Sequence, residues 1–464
     1  MRAIHWFRAD LRLRDNPALA AAARQAERVV PVFVLDPRLL EGASAGSART
    51  AFLLDCLERL GEELEASGCP LVVRRGAPEV EIPKLLGETG AELLSFQRDG
   101  SPFAKARDDE VVRAAEKAGA RVLAAEGGVV FAAGAIRSSS GGGYRVYTPY
   151  RKVWYQRLRE LPELEPKPRL RPHGLSLASE PLPAPPDLAF DLPAGGETKA
   201  RGRLRRFVEG RARDYATARD RPDLDVTSRL SPYLRFGVLS ARACVSLALD
   251  AARADAAAAP GLYAWIDQLA WRDFYHAILE EHPRVLRRSF RPEFDALRWE
   301  DDEAGFEAWC AGRTGFPIVD AGMRQLAATG WMHNRVRMIV ASFLTKDLLV
   351  DWRRGERFFY ERLVDGDPAN NNGGWQWAAS TGTDAQPYFR IFNPTSQGRR
   401  FDPDGAYVKR FVPELAGLDA RTVHTPWEAP LQAPDYPPPI VDHAERRAIA
   451  LERFEDARAR AREP

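Results

Sequence analysis

The chain is poor in the residues that build cross-links and metal cages. It has four cysteines among 464 residues, Cys56, Cys69, Cys244 and Cys310, and none form a Cys-x-x-Cys pair. Its seven histidines show neither His-Glu-x-x-His nor any other paired ligand spacing. No disulfide framework or structural zinc is expected, and the thiols suit a reducing cytoplasm. No apolar run approaches the roughly 18 residues that span a bilayer, and charges follow Met1 so closely that no secretory leader is expected. Strong net charge is missing too. The balance is +2, so the chain as a whole is no polycation. Only locally does charge gather: residues 201–221 carry eight arginines against Glu209, Asp214 and Asp220. That segment reads as a solvated helix face or as one edge of a phosphate-tracking surface.

What is present can bury sizeable cores. At 464 residues and 45% hydrophobic, two to three domains are expected. The first 130 or so residues alternate short apolar runs with helical patterns. Ile4–Phe7, Val29–Leu35, Leu71–Val73, Leu93–Phe96 and Val122–Ala124 read as strands, with helices such as Ala48–Ala66 and Asp108–Ala118 between them. This alternation predicts an α/β domain over 1–130 with a doubly wound, five-stranded parallel sheet, whose ligands sit at the strands' carboxyl ends. Neither G-x-G-x-x-G nor a Walker motif follows the first strand; Arg8-Ala9-Asp10-Leu11-Arg12 does, so this is not an ordinary dinucleotide fold. Residues 131–199 form a connector, with Pro concentrated over 160–200. From 200 to 464 strand signals vanish and helical periods dominate, which predicts one all-α domain.

The chemistry concentrates late in the chain. Asn370-Asn371-Asn372-Gly373-Gly374-Trp375-Gln376-Trp377 puts three asparagines, two glycines and two tryptophans into eight residues, just after Asp365-Gly366-Asp367. That mixture suits a pocket for a flat aromatic molecule whose protons and electrons are controlled. Eight of the eleven tryptophans lie between Trp265 and Trp377. They serve as core, as a stacking platform, or as one-electron relays. On a helix through 331–338, Trp331, Asn334, Arg337 and Met338 share a face, a polar wall with one soft apolar contact. Thr227-Ser228-Arg229-Leu230-Ser231 precedes a helical run and offers hydroxyls either as an N-cap or to a pyrophosphate. On the segment 265–272, Gln268, Trp271 and Arg272 share a side.

Together these segments resemble the photolyase/cryptochrome family over nearly the whole chain, closest to bacterial class I cyclobutane pyrimidine dimer photolyases. The match runs from Trp6-Phe7-Arg8-x-Asp10-Leu11-Arg12-x-x-Asp15-Asn16 through Thr227–Ser231, Trp271-Arg272-Asp273-Phe274, Trp331-Met332-His333-Asn334-Arg335 and 365–377 to Tyr388-Phe389-Arg390-Ile391-Phe392-Asn393-Pro394. The resemblance implies FAD in the helical domain, at Tyr215, Thr227, Ser228, Leu230, Ser231, Gln268, Arg272, Asn334, Arg337, Asp365, Asp367 and Asn371. Asn371 would face flavin N5, where an amide neither titrates near neutral pH nor readily gives up a proton. The implied reaction is light-driven repair: excited reduced flavin lends an electron to a pyrimidine dimer, the ring splits, and the electron returns. Photolyases are themselves a named example of base flipping, so the dimer is expected outside the duplex. Trp271 and Trp377 would wall the dimer, Met338 would touch it, and Asn334 would bridge it to the flavin. Arg219, Arg335 and Arg390 would hold phosphates. Trp375, Trp352 and Trp299 match the family's relay from surface to flavin.

Two positions bear on the subclass. Gln268 stands where bacterial dimer photolyases usually carry Glu and (6-4) photolyases commonly carry Gln; but Asn334 and Met338 stand where the (6-4) enzymes carry two His. A signalling cryptochrome is the other alternative, opposed by Asn371 and by the lack of a C-terminal extension. For the antenna, Ala104 replaces the folate-holding Glu and Arg287 falls near the Lys. Phe33–Pro37, Arg49, Asp99 and Arg235 fall near the deazaflavin pocket, so 8-hydroxydeazaflavin or a flavin is favoured over methenyltetrahydrofolate. Damaged DNA is the expected partner of a monomeric, cytoplasmic enzyme.

Overall fold

All five predicted strands form, and they pair in parallel in the order β3-β2-β1-β4-β5: β1 Arg2–Phe7, β2 Arg28–Leu35, β3 Val72–Arg75, β4 Leu93–Gln97 and β5 Arg121–Ala125. The structure, a computed structural model, describes residues 1–41 and 46–461. β1 is central, and Ala3 and Ile4 pair with Val29 and Val30 on one side and Leu93 and Leu94 on the other. Its residues are apolar on both faces because both are covered. Ile4, Trp6, Val32, Leu94 and Phe96 pack with Ile82, Leu85 and Val111 from the helices Pro78–Thr89 and Pro102–Lys117. The order reverses between β1 and β4, which opens the ligand-binding crevice of such sheets at their carboxyl ends.

The segment after β1 is a buried polar hub. Arg12, 2% exposed, donates to the carbonyls of Asp15, Gly237 and Gly127 at 2.8–3.1 Å. Asn16 caps the helix Pro17–Gln25 by accepting from Leu19 N. Gly237 (φ +59°) lies so close that a Cβ there would sit 2.0 Å from the Ala9 carbonyl oxygen.

The connector holds the helix Tyr147–Arg157, but its proline-rich part, 161–196, carries no helix or strand, as its composition predicts. It runs along β3, where Glu180 N donates to Val73 O at 2.9 Å. Beyond it the chain is helical. Contacts group the chain into two compact units: Met1–Leu188 with Leu192–Ala216 and Thr227–Pro283, and Arg284–Pro464 with Ala189–Asp191 and Thr217–Val226. In the second unit the core gathers Trp309, Phe316, Met323, Val336, Phe343, Trp352, Phe359 and Trp375. There the helix Asn334–Ser342 is followed directly by a π turn, Phe343–Asp347. The closing helix His443–Arg460 braces that turn: His443 Nδ1 meets Asp347 Oδ1 at 2.5 Å and Lys346 Nζ sits 3.6 Å from the Phe454 ring centre.

Candidate active site

The amide- and indole-rich stretch lies on one helix, Pro368–Ala378. Asp367 caps it, accepting from Asn370 N at 2.8 Å and Asn370 Nδ2 at 2.7 Å. Helical spacing then sorts the residues by face. Asn372 and Gln376 are buried and turn to the backbone of 285–290. Asn372 Nδ2 donates to Val285 O and Glu356 Oε1, both at 3.0 Å. Gln376 Nε2 donates to Val285 O at 2.9 Å, and its Oε1 accepts from Phe290 N at 2.8 Å. These two amides are brackets, not pocket groups. Asn371 Nδ2 donates to Glu356 O at 2.9 Å, which leaves its Oδ1 as an acceptor.

Four residues beyond Asn371 on the same face, Trp375 is 2% exposed and rests on a bare backbone. A Cβ on Gly355 would come within 2.1 Å of its Cη2. Its closest aromatic neighbours are Phe359, with centroids 5.0 Å apart, and Trp309, at 6.0 Å. Trp352 is fully buried, and Trp299 and Trp377 are partly buried against the same core. Among the described residues, the indole N–H groups of Trp352 and Trp375 meet no hydrogen-bond partner, whereas that of Trp309 donates to Val340 O at 3.0 Å.

The helix carrying Asn334 starts at Asn334 itself, capped by His333 Nδ1, which accepts from Arg335 N. Trp331 therefore precedes the helix and does not share its face, contrary to the spacing argument. Asn334, Arg337 and Met338 do belong together. Asn334 Nδ2 lies 3.8 Å from Met338 Sδ, and Arg337 donates to both Asp365 oxygens at 2.9 and 3.1 Å and to Met332 O. Of the three phosphate candidates, Arg390 is exposed and Arg219 partly so. Arg335 is already paired with Asp220 at 2.9 Å and lies 4.5 Å from the Phe401 ring centre.

In the first unit, Arg229 (φ +50°) and buried Leu230 lead into the short helix Ser231–Arg235, with no side-chain cap. Thr227, Ser228 and Ser231 are thus not helix caps. Trp265 Nε1 donates to Ser228 Oγ at 3.3 Å, and Tyr215 is buried. On the helix Ala259–Glu281, Gln268 is partly exposed. Arg272, partly exposed, turns its guanidinium to the carbonyls of Gly128 (2.8 Å) and Leu234 (3.4 Å). Asp273 is a structural tie. It accepts from Val130 N, Phe131 N and Trp154 Nε1 at 2.9–3.1 Å, and burial, opposed by those bonds, pushes its carboxyl up to about 6.

At the crevice of the sheet, the Arg8 guanidinium lies 4.6 and 4.7 Å from the Trp6 and Phe96 ring centres and pairs with Asp108. Burial raises the Asp99 carboxyl, but the Ser101 N–H with Arg235 and Arg8 holds it below its usual range. Phe33 and Arg49 are buried, while Asp36 is taken up by Arg38. Ala104 is buried and Lys105 pairs with Glu280 at 3.1 Å.

Residues 3–171 match the family model described as DNA photolyase, and residues 265–456 match that of the FAD binding domain of DNA photolyase. The deoxyribodipyrimidine photo-lyase of Halobacterium salinarum is 44% identical, over 98% of this chain and 99% of that protein. The chain belongs to the DNA photolyase family. It is also similar to the solved structure of a bacterial class III photolyase from Agrobacterium tumefaciens, with TM-score 0.91, 39% identity, and 99% and 98% of the two chains covered. An archaeal photolyase from Sulfolobus tokodaii, solved with two FAD molecules, matches with TM-score 0.81 and 33% identity over 98% of this chain and all of that one (100%). The chain thus carries a FAD-binding domain. Among the described residues, no cluster could hold a metal ion and no helix is long and apolar enough to cross a membrane.

Sequence reasoning missed three residues around this site. Glu356 holds Asn371 through its carbonyl and Asn372 through its carboxyl, which burial pushes up to about 7 against the Asn372 bond. Trp309 touches Trp375. Tyr147 stacks on Trp271, with centroids 3.7 Å apart and planes 13° from parallel. All three reach their partners across gaps of more than ten residues, so no periodicity marks them.

Proposed function

We propose that the chain repairs cyclobutane pyrimidine dimers in DNA as a light-driven deoxyribodipyrimidine photo-lyase, working in the cytoplasm as a monomer on a dimer flipped out of the duplex. The donor set fits FAD. Asp365 and Asp367 offer acceptors for ring and ribose donors, and Thr227, Ser228 and Ser231 offer hydroxyls to the pyrophosphate. Arg337, held by Asp365, brings a fixed positive charge. Tyr215, Leu230, Gln268, Arg272 and Asn334 complete the set by family position. Reduced FAD, excited by light, supplies the electron that opens the dimer and recovers it afterwards.

The observation that carries this reading is the fixed amide of Asn371, the family's N5 neighbour. With its nitrogen tied to Glu356 O, the side chain presents an oxygen that cannot donate a proton. That favours repair over the signalling chemistry of a cryptochrome. Gln268 would pair with a pyrimidine edge as a neutral donor and acceptor. Trp271 and Trp377 would flank the dimer, with Met338 and Asn334 beside it. Arg219 and Arg390 would track phosphates without reading sequence. Arg335 would do so while shared with Asp220. Trp299, Trp352 and Trp375 would pass electrons inward during photoreduction. Functionally, 1–130 would be the antenna domain, 131–199 a connector and 200–464 the catalytic domain. The crevice between β1 and β4 would take an 8-hydroxydeazaflavin or a second flavin, the latter supported by the two-FAD relative.

The test is illumination of the reduced, flavin-loaded protein with an oligonucleotide carrying one thymine dimer. Disappearance of the dimer, dependent on light, is expected; a dimer that persists while reduced flavin stays bound refutes the reading.

A further inference from the structure

We propose that Tyr147 is a positioning residue for lesion recognition: it sets the plane of Trp271, and so the preference for a damaged base. This rests on the reading that Trp271 stacks on the dimer.

The Tyr147–Trp271 pair is the closest aromatic stack in the first unit, with centroids 3.7 Å apart and planes 13° from parallel. Tyr147 is 7% exposed, so it cannot itself take up a base, whereas Trp271 remains partly exposed. The phenol covers one indole face. Phe274 meets the indole nearly edge-on (81°, 5.7 Å), and Tyr275 lies tilted at 5.5 Å. The indole is therefore held in one plane before any ligand arrives.

The phenol is itself anchored. Its hydroxyl donates to Asp267 O at 2.9 Å, one turn before Trp271 on the same helix. The Asp267 carboxylate then takes Arg151 Nε at 2.6 Å, Arg151 Nη2 at 3.0 Å and Tyr155 Oη at 2.8 Å. Tyr147, Arg151 and Tyr155 are four residues apart on the helix Tyr147–Arg157, so one face of that helix grips one residue of the other. The phenol is thus hydrogen-bonded to the helix that carries Trp271, and Arg151 and Tyr155 fix the same residue of that helix through its carboxylate. These ties suit a platform whose angle matters, because a stacked base gains most when the ring beneath it is preorganised.

The experiment measures affinity for an oligonucleotide with one thymine dimer and for its undamaged counterpart, using flavin-loaded Y147F, Y147H, Y147L and W271A. Stacking is worth about 1–3 kcal/mol per base, and tilting the platform without removing it should forfeit part of that, so Y147L should weaken dimer binding by about tenfold, or about 1.4 kcal/mol. Undamaged affinity, flavin content and light-driven flavin reduction should not change. Y147F keeps the ring and should recover most of the loss. Y147H should fall between the two, and serves if Y147L does not fold. Wild-type discrimination in both Y147L and Y147H, or an equal loss in Y147F, overturns the inference. Full dimer affinity in W271A instead overturns the reading beneath it.

Discussion

Replacing Glu356 by Gln should make the protein more stable in alkaline solution, with a size that follows from one buried carboxyl. Burial raises its pKa from 4.5 to about 7, only partly offset by the Asn372 bond and by Arg353 and Arg357. The folded state holds this proton more tightly than the unfolded chain. Its contribution is complete below about 4.5 and is lost as pH rises through about 7. At about 1.4 kcal/mol for each pH unit, the loss is at most about 3.5 kcal/mol; the carboxyl keeps some solvent contact, which reduces it. Gln cannot ionise, and its oxygen still accepts from Asn372. Near pH 4 the variant and wild type should therefore unfold alike. By pH 8.5 the variant should melt roughly 5–10 °C higher, given about 2–4 °C per kcal/mol for a unit of this size. Thermal unfolding of flavin-loaded protein, followed by near-UV circular dichroism across that range, measures the gap. A gap of equal size at every pH would show that Glu356 does not titrate between its unfolded and folded values, and the reasoning would fail.

Other variants separate the remaining roles. Trp375→Phe should slow light-driven flavin reduction yet spare repair by pre-reduced enzyme, whereas Trp377→Ala should weaken dimer binding and leave photoreduction intact; the same loss in both would refute the division. Gly355→Ala drives a methyl into the Trp375 ring. It should cost about 1–3 kcal/mol in urea unfolding and disturb photoreduction, while Gly374→Ala, whose Cβ would meet nothing within 4 Å, leaves the indole undisturbed. Asp273→Ala strands two backbone N–H groups and the Trp154 indole. A loss of about 3 kcal/mol or more is expected in urea unfolding, and a change under 1 kcal/mol would contradict the tie.

The sheet was legible because each strand is a short apolar run with a helical pattern on either side, the alternation that parallel crossovers require. The proline-rich connector was legible for a similar local reason. What escaped were features fixed by distant partners. Asn372 and Gln376 look identical in kind to Asn371, yet carbonyls some 90 positions earlier claim them. The carbonyls that take up Arg272 come from Gly128 and Leu234. The π turn at Phe343–Asp347 answers to a helix that begins at His443, not to its own composition. The pattern on 331–338 failed at Trp331 because capping by His333, a tertiary choice, overrides a face drawn by spacing alone.

The unpartnered indole N–H groups of Trp352 and Trp375 have a consequence for the proposed relay. An indole that has given up an electron becomes a strong acid, and a neighbouring base would take its proton and trap the oxidised ring as a neutral species. Among the described residues neither indole N–H meets an acceptor, so in such a relay the positive charge would stay mobile and move on. Trp309, whose N–H already points at Val340 O, is the neighbour better built to hold such a charge in place. In that proposed relay such surroundings would make Trp352 and Trp375 conductors, with the rate at which charge leaves them set by their partners and not by proton loss.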